Sequence, residues 1–260
     1  MLMQSTPRIV PVARQHRADR RRPARRATVA SVLGELLLTA GVLALGYAGW
    51  QIWLSDAVLG GEQQQAARVF AAQLGPMEPA PTAGVELRTD EPPVETAVAE
   101  GESFAVMHIP RLGQFQRVIG EGTGRDVLDS LEQGLAHYSG AAQPGELGNF
   151  AVAGHRNGQG GPFTHLDEMR VGDRITVQTA SAWYVYEFRN HEYVPPTAVG
   201  VVAAVPQQPS VPADGRYLTL TTCNPEWSAA GRLVAYATLV GWQSAADGMP
   251  RELADALGAA

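Results

Sequence analysis

The feature that most constrains the fold of this chain is a pair of alternating segments joined by a short turn. Residues 217–223 read Tyr-Leu-Thr-Leu-Thr-Thr-Cys, and residues 232–240 read Arg-Leu-Val-Ala-Tyr-Ala-Thr-Leu-Val. Alternation with a period of two residues is typical of β-strands, and Asn224 and Pro225 favour a turn between them. We therefore predict a strand that ends at Cys223, a loop, and a second strand that begins at Arg232.

Short extended segments of the same kind recur over about 140 residues, a length sufficient for one hydrophobic core. Residues 175–178 and 183–189 are predicted to form a hairpin. With few helical patterns, about seven or eight short strands favour a mainly β fold, a closed or nearly closed barrel. The other predicted strands are residues 104–109, 115–120 and 149–154, with brief extended pieces at 193–194 and 200–205.

Three segments have the apolar spacing of short helices. Residues 62–74 are predicted to form an amphipathic helix. Residues 126–135 place apolar side chains at positions 127, 128, 131 and 135 on one helical face. Pro162 suits the first turn of a third helix, with Phe163, Leu166 and Met169 on its apolar face.

The charge of the chain is distributed very unevenly. Residues 1–26 carry eight arginines and one aspartate, or +7, and the rest carries twelve arginines and twenty-five acidic residues, or −13, which together give −6. A basic arm can bind nucleic acid. The remainder is acidic, however, and the arm precedes an apolar segment, so we predict no nucleic-acid partner.

That apolar segment is long enough to cross a membrane. Residues 36–54 are nineteen consecutive uncharged positions, and about 20 apolar residues span a bilayer as a helix. Tyr47, Trp50 and Trp53 fit an interfacial aromatic belt. The alternative is a cleaved signal peptide, whose apolar region is normally about 7–15 residues. We predict a transmembrane anchor at residues 27–54, with a basic cytoplasmic arm at 1–26 and the remainder extracellular.

The segment after the anchor has the composition of a spacer. Residues 76–103 contain five prolines and seven acidic residues, and such segments tend to be extended and disordered. We therefore predict an extracellular spacer at residues 55–103. The folded domain is predicted at residues 104–243, and a loose C-terminal tail at residues 244–260.

Cys223 is the only cysteine, so it cannot form an internal disulfide. On frequency alone a buried, unreactive thiol is expected. Residues 149–156, however, read Asn-Phe-Ala-Val-Ala-Gly-His-Arg, a short strand that leads to His155. A histidine can take the proton of a thiol, and a guanidinium can stabilise an oxyanion. Cys223, His155 and Arg232 are therefore predicted to form a thiol acyl-transfer site.

These motifs carry a resemblance to a known family. The sequences Thr-Leu-Thr-Thr-Cys at 219–223 and Gly-His-Arg at 154–156, with the arginine at 232, resemble those of the sortases. Sortases are membrane-anchored cysteine transpeptidases of Gram-positive bacteria, and the similarity is greatest to class E sortases of actinobacteria. The resemblance extends over residues 104–240 and implies an eight-stranded sortase barrel with Cys223, His155 and Arg232 as the catalytic set.

The resemblance also implies a substrate and partners. The expected substrate is a secreted protein with a C-terminal sorting signal of the Leu-Pro-X-Thr-Gly or Leu-Ala-X-Thr-Gly type, cleaved between Thr and Gly. The expected acceptor is an amine of the peptidoglycan stem or cross-bridge, and the lipid bilayer is the partner of the anchor. Tyr138 is expected to bind the second residue of the signal.

Other candidate sites are weaker. The histidines at 108, 137 and 165 are expected to be structural, and His191-Glu192 lacks a third ligand at useful spacing, so no metal or cofactor is predicted. Two alternatives remain for the whole chain, a pilin-polymerising sortase and a non-catalytic, membrane-tethered domain that binds the cell wall. A papain-like peptidase would place its cysteine before its histidine, whereas here His155 comes first.

Overall fold

The computed structural model describes residues 28–50, 54–80 and 86–258. The predicted basic arm at 1–26 lies outside the described residues. The chain divides into two compact units, one ending at Leu45 and one beginning at Gly46. Most of the first helix, α1 (Val29–Gly49), lies in the first unit, and α1 is long and apolar enough to cross a membrane by length and composition.

The second unit contains a closed barrel of eight strands in the spatial order β1-β2-β3-β4-β7-β8-β6-β5. The predicted mainly β barrel is therefore confirmed. Two neighbouring pairs, β2 with β3 and β4 with β7, are parallel, and the others are antiparallel. The strands are β1 (Ser103–Ile109), β2 (Phe115–Glu121), β3 (Gly134–His137), β4 (Gly148–Gly154), β5 (Arg174–Gln178), β6 (Ala182–Val194), β7 (Arg216–Asn224) and β8 (Gly231–Ser244).

The alternation seen in the sequence decides which side chains fill the barrel. Leu218 and Leu220 of β7 and Leu233 and Ala235 of β8 belong to one buried cluster. Successive side chains of a strand point to opposite faces. The alternate residues of both strands, among them Cys223 and its cross-strand partner Arg232, therefore face outwards.

Two local predictions were wrong for residues 126–205. The helix predicted at 126–135 is one turn, α3 (Arg125–Leu128), and Leu135 lies in β3. Gly134, with φ of +89°, begins β3, which pairs with both β2 and β4. The extended piece predicted at 200–205 includes a 3₁₀ turn (Val199–Val202), whereas residues 193–194 form the end of β6.

The helix predicted at 62–74 is longer than the sequence indicated. Helix α2 (Ser55–Leu74) buries Ala67 and Ala71 against Val106 of β1 and Val118 of β2. The third predicted helix is a 3₁₀ turn (Leu166–Glu168). The described part of the predicted spacer therefore begins as a helix packed on the barrel.

The rest of the described spacer is also packed, so its prediction as a disordered segment was wrong. Backbone bonds join Arg88 and Trp242 in both directions, at 2.8 and 2.9 Å. Glu95 accepts hydrogen bonds from Thr179 at 2.6 Å and Tyr184 at 2.9 Å. The acidic and proline-rich composition predicts disorder, but the backbone of Arg88 and the carboxylate of Glu95 both bond residues of the barrel.

The predicted loose tail is likewise ordered over its described part. Residues 251–257 form helix α4 (Arg251–Leu257), which buries Leu253 and Ala254. These side chains pack with Met249 against Trp183 on the outside of the barrel. Packing against this tryptophan, which the local sequence does not reveal, orders the segment.

Glu95 tests whether residues 86–102 are part of the folded unit. Glu95→Ala should lower the free energy of unfolding by about 1–3 kcal/mol, because it removes the acceptor of buried hydroxyl groups. Glu91→Ala is the control, since Glu91 is 86% exposed and 3.5 Å from Arg216, and we expect a change within about 0.5 kcal/mol. Urea unfolding measures both. Equal effects would mean that the segment is detached in solution.

Candidate active site

The register of three neighbouring strands brings the predicted site residues to one edge of the barrel. Strand β7 lies between β4 and β8. Cys223 and Arg232 are direct partners across β7 and β8. Ala153 of β4 pairs with Thr221 of β7 in a parallel ladder. His155, two residues after Ala153, therefore follows β4 at the level of Cys223, near the end of β7.

The same three residues lie on the outer face of the barrel. Val152 and Leu220 point into the core, and alternation places His155 and Cys223 on the opposite face. Arg232 shares that face because cross-strand partners point to the same side. The site is thus a surface groove at the strand ends, and Cys223 is half-buried there.

Gly154 fixes the approach of β4 to its neighbours. A Cβ at this position would lie 2.7 Å from Phe163 and 2.9 Å from Leu135, so the core tolerates no side chain there. The hydroxyl of Thr222 donates to the carbonyl of Gly154 at 2.8 Å. This bond joins the residue before Cys223 to the residue before His155 and holds the two strand ends together.

His155 has a partner that the sequence did not indicate. Its Nε2 lies 2.8 Å from Oδ1 of Asp129, and the two side chains are 30% and 32% exposed. A carboxylate accepts hydrogen bonds, so Nε2 is the protonated nitrogen and Nδ1 is left as the base in the neutral ring. Asp129 lies between α3 and β3 in no recognisable motif, and only the fold reveals its role.

Arg156 connects the loop that carries His155 to the loop that follows Cys223. Its Nη1 donates to Oδ1 of Asn224 at 2.8 Å, and its Nη2 lies 3.2 Å from Asp167. The side chain of Arg156 is only 6% exposed. The sequence includes Arg156 in the Gly-His-Arg motif but does not indicate what the arginine does. In the structure, Arg156 bonds the residue after Cys223 and so ties it to the loop that carries His155.

The loop between β7 and β8 orients Arg232. The Nη1 of Arg232 donates to the carbonyls of Gly231 at 2.8 Å and Ala229 at 3.2 Å. A guanidinium has five N–H donors, three of them on Nε and Nη2. The backbone N–H of Trp227, at the tip of the loop, donates to Asn157 at 3.2 Å. The loop is thus tied to the segment that follows His155.

Tyr138 lies on the same outer face. Its backbone N–H donates to Ala151 at 3.0 Å, and its hydroxyl is 2.9 Å from the hydroxyl of Thr221. Thr221 and Cys223 are two residues apart on one strand and share a face. The ring therefore crosses β4 and forms a wall beside the end of β7.

The other histidines of the barrel have structural partners. His137 is buried between Glu121, at 2.7 Å, and the carbonyl of Ala142, at 3.2 Å. His108 bonds Gln178 at 3.3 Å, and burial lowers its pKa to about 4. Within the described ranges, no group of three or more His, Cys, Asp or Glu side chains is placed to hold a metal ion.

Two cavities on the barrel surface differ in their distance from the site. One of about 530 Å³ lies beside α4, away from Cys223, and two of its arginines pair with acidic residues, Arg111 with Asp173 and Arg174 with Glu187. Another, of about 360 Å³, lies between the loop after His155 and the loop that carries Trp227. The second is lined by residues close in sequence to His155 and Cys223, among them Asn157 and Glu226, but not by Cys223, His155 or Arg232 themselves.

A closed eight-stranded barrel with a thiol, an imidazole and a guanidinium at three adjacent strand ends defines a class of protein, and comparison with known proteins identifies it. Residues 107–240 match the family model of the sortase domain. The chain is 30% identical over 250 residues to Sortase SrtE1 of Streptomyces coelicolor, and this match covers 94% of the chain and 66% of that protein. The chain belongs to the sortase family.

Solved structures agree. The SrtA sortase from Actinomyces oris has a TM-score of 0.60 at 40% identity, over 64% of this chain and 94% of that one. Sortase E1 from Streptomyces coelicolor, described with a tripeptide in its active site, has a TM-score of 0.55 at 35% identity, over 60% of this chain and 99% of that one. The predicted resemblance to sortases, including class E members, is confirmed.

The Asp129 contact predicts the tautomer of His155. In its neutral form the ring should carry its proton on Nε2, because that nitrogen faces the carboxylate. Long-range ¹H–¹⁵N correlation spectra of the labelled protein would show this, with the His155 signal assigned by its loss in His155→Ala. Asp129→Ala should give a mixture of tautomers. A Nδ1–H tautomer in the unmodified protein would contradict the contact.

Proposed function

We propose that this protein is a cysteine transpeptidase that cleaves a C-terminal sorting signal and joins the protein bearing it to an amine of peptidoglycan. The observation that carries the proposal is the meeting of Cys223, His155 and Arg232 at adjacent ends of β4, β7 and β8. Family membership supports the reaction class. The signal is proposed to be of the Leu-Ala-X-Thr-Gly or Leu-Pro-X-Thr-Gly type, cut between Thr and Gly.

In the first half of the proposed reaction, Nδ1 of His155 holds the proton of the Cys223 thiol, and the resulting thiolate attacks the carbonyl carbon of the signal's threonine. The carbonyl oxygen becomes an oxyanion, and the N–H donors on Nε and Nη2 of Arg232, which bond no residue in the described ranges, stabilise it. The C–N bond to glycine then breaks, and His155 gives a proton from Nδ1 to the leaving amine. The product is a thioester on Cys223 and a released peptide that begins with glycine.

In the second half an amine attacks the thioester. Nδ1 of His155 accepts the proton that the amine loses, the C–S bond breaks, and the thiolate returns to its starting state. Asp129 remains a carboxylate throughout and holds the ring through Nε2. A proton given in the first half is thus recovered in the second, and no external acid or base is consumed.

The proposed location follows from α1 and the charge distribution. We infer that α1 (Val29–Gly49) crosses the cell membrane and that the eight arginines of residues 1–26 remain in the cytoplasm. The barrel would then lie outside, where sorting signals and cell-wall amines are found. Protease treatment of intact cells should degrade the barrel and spare an N-terminal epitope tag.

The principal experiment is mass spectrometry of the protein after incubation with Leu-Ala-X-Thr-Gly and Leu-Pro-X-Thr-Gly peptides. A covalent adduct on Cys223 with the mass of the signal truncated after threonine would establish the thioester. Relative adduct yields would rank the two signals. An unmodified Cys223 with both peptides would refute the proposed substrate class.

Substitution of Cys223 and Arg232 tests their roles. Cys223→Ala should reduce turnover to below about one hundredth of the unmodified enzyme, because no other nucleophile replaces the thiol. Arg232→Lys should cost about 10²–10³ in kcat, because an ammonium cannot present the planar donors of a guanidinium. Peptide cleavage and melting temperature are measured together. Near-normal turnover in either variant would remove that residue from the mechanism.

Tyr138 is proposed to shape the pocket for the second residue of the signal. Tyr138→Ala should shift the ratio of kcat/KM for the alanine and proline signals by about tenfold towards proline, because the pocket loses its aromatic wall. Thr221→Val is the control, since it removes the partner of the Tyr138 hydroxyl and leaves the ring in place. Equal ratios in Tyr138→Ala and the unmodified enzyme would exclude this role.

A further inference from the structure

Helix α2 makes its most specific contacts with the two loops that carry the His155–Asp129 pair. Gln63 of α2 is fully buried, with 0% exposure. Its Nε2 donates to the carbonyl of Ser130 at 2.9 Å and to that of Gln159 at 3.1 Å. Ser130 directly follows Asp129, and Gln159 lies four residues after His155. One amide group therefore joins the two loops.

A second contact comes from the first turn of α2. The carboxylate of Asp56 accepts hydrogen bonds from the backbone N–H groups of Gly158 at 2.8 Å and Gly160 at 3.2 Å. Hydrogen bonds to a charged acceptor are stronger than those between neutral groups. Asp56 therefore binds backbone N–H groups of residues 158–160, and Gln63 binds a backbone carbonyl of the same segment.

The helix and the loop also meet backbone to backbone. Gly160 has φ of +82°, and a Cβ there would lie 2.5 Å from Oε1 of Gln63 and 3.0 Å from the nitrogen of Gly60. A Cβ on Gly60 would lie 3.0 Å from the carbonyl oxygen of Gly160. Both positions therefore need glycine, and the glycine-rich loop after His155 is shaped to receive α2.

Loop residues without regular structure hold a catalytic geometry only if other parts of the fold fix them. A displacement of about 1 Å can cost 10²-fold in rate. The His155–Asp129 bond joins two such loops, and each loop is anchored to α2 within a few residues of the pair. Without these anchors, the imidazole would be free to turn Nε2 away from the carboxylate.

We propose that Gln63 and Asp56 are positioning residues, which hold Asp129 and His155 in register from outside the barrel. This inference rests on the proposed role of His155. It makes α2 a component of the active site, although α2 precedes the first strand by almost thirty residues.

The test compares two neighbouring glutamines of α2. Gln63→Met removes the bridging amide with little change in volume. Gln64→Met is the matched control, because the Nε2 of Gln64 also donates to a backbone carbonyl, that of Gln114 at 2.8 Å, but on an exposed surface. We expect Gln63→Met to lower kcat for peptide cleavage about tenfold with KM changed less than twofold, and Gln64→Met to leave both unchanged. Equal kcat values for the two variants would overturn the proposal.

A double-mutant cycle separates positioning from general loosening. If Gln63 acts through the pair, Gln63→Met should lower kcat less than twofold further in a protein that already carries Asp129→Ala. The same tenfold loss in both backgrounds would show that Gln63 acts elsewhere, which would refute the proposal. Asp56→Ala provides a second variant if Gln63→Met does not melt cooperatively, and we expect a loss of about threefold in kcat.

An activity-independent measurement distinguishes this inference from the proposed function. In ¹H–¹⁵N spectra, Gln63→Met should convert the His155 signal from the Nε2–H tautomer to a mixture, and Gln64→Met should not. If the unmodified protein cleaves no sorting peptide, the proposed function fails, but this spectrum still decides the role of Gln63. An unchanged His155 signal in folded Gln63→Met would overturn the positioning role.

Discussion

The parallel pairing of β4 with β7 is the interaction on which the rest of the site depends. Its register, with Ala153 opposite Thr221, brings residues that are far apart in sequence to the same edge of the barrel. Parallel neighbours need a long crossover connection, and here residues 155–215 supply it and wrap strands β5 and β6 around the other side. The antiparallel β7–β8 pair then adds Arg232 opposite Cys223 through a short loop. One parallel and one antiparallel ladder are therefore sufficient to assemble a thiol, an imidazole and a guanidinium on a common face.

The parts of this arrangement that could be predicted are those that a short stretch of sequence indicates by its own pattern of residues. Alternation in residues 217–223 and 232–240 indicated both strands, and the side chains at their ends suggested the chemistry. The resemblance to sortases supplied the barrel. Asp129 had no such signal, because the spacing of apolar residues around it fits a helix that the structure ends after one turn. The strand that replaces it, β3, is stabilised by pairing with β2 and β4, and such long-range pairing overrides a local helical pattern.

The error at residues 86–102, where a disordered spacer is predicted, and that at 244–257, where a loose tail is predicted, arise because both segments pack on the barrel. For residues 76–103, the proline and acidic residues predict disorder, and this prediction holds only when a segment has no surface to pack against. Here the barrel offers partners: Trp183 receives α4, Val106 and Val118 receive α2, and Thr179 and Tyr184 bond Glu95. A barrel that is polar at its mouth and apolar on parts of its outer surface can order flanking segments that would be flexible alone. The composition of a segment therefore does not show whether the segment is ordered, because the surface that orders it is formed by residues elsewhere in the chain.

The exposure of the His155–Asp129 pair determines what that contact can contribute. With about a third of each side chain accessible, solvent screens the charge interaction, and exposed ion pairs are worth little on their own. The value of the carboxylate is therefore geometric: it selects a tautomer and an orientation of the imidazole. An orientation set by one screened hydrogen bond is only as well defined as the two loops that carry it. Because Gln63 is buried and bonds both loops, the precision of the pair originates in the packing of α2, outside the strands that bear the reactive groups.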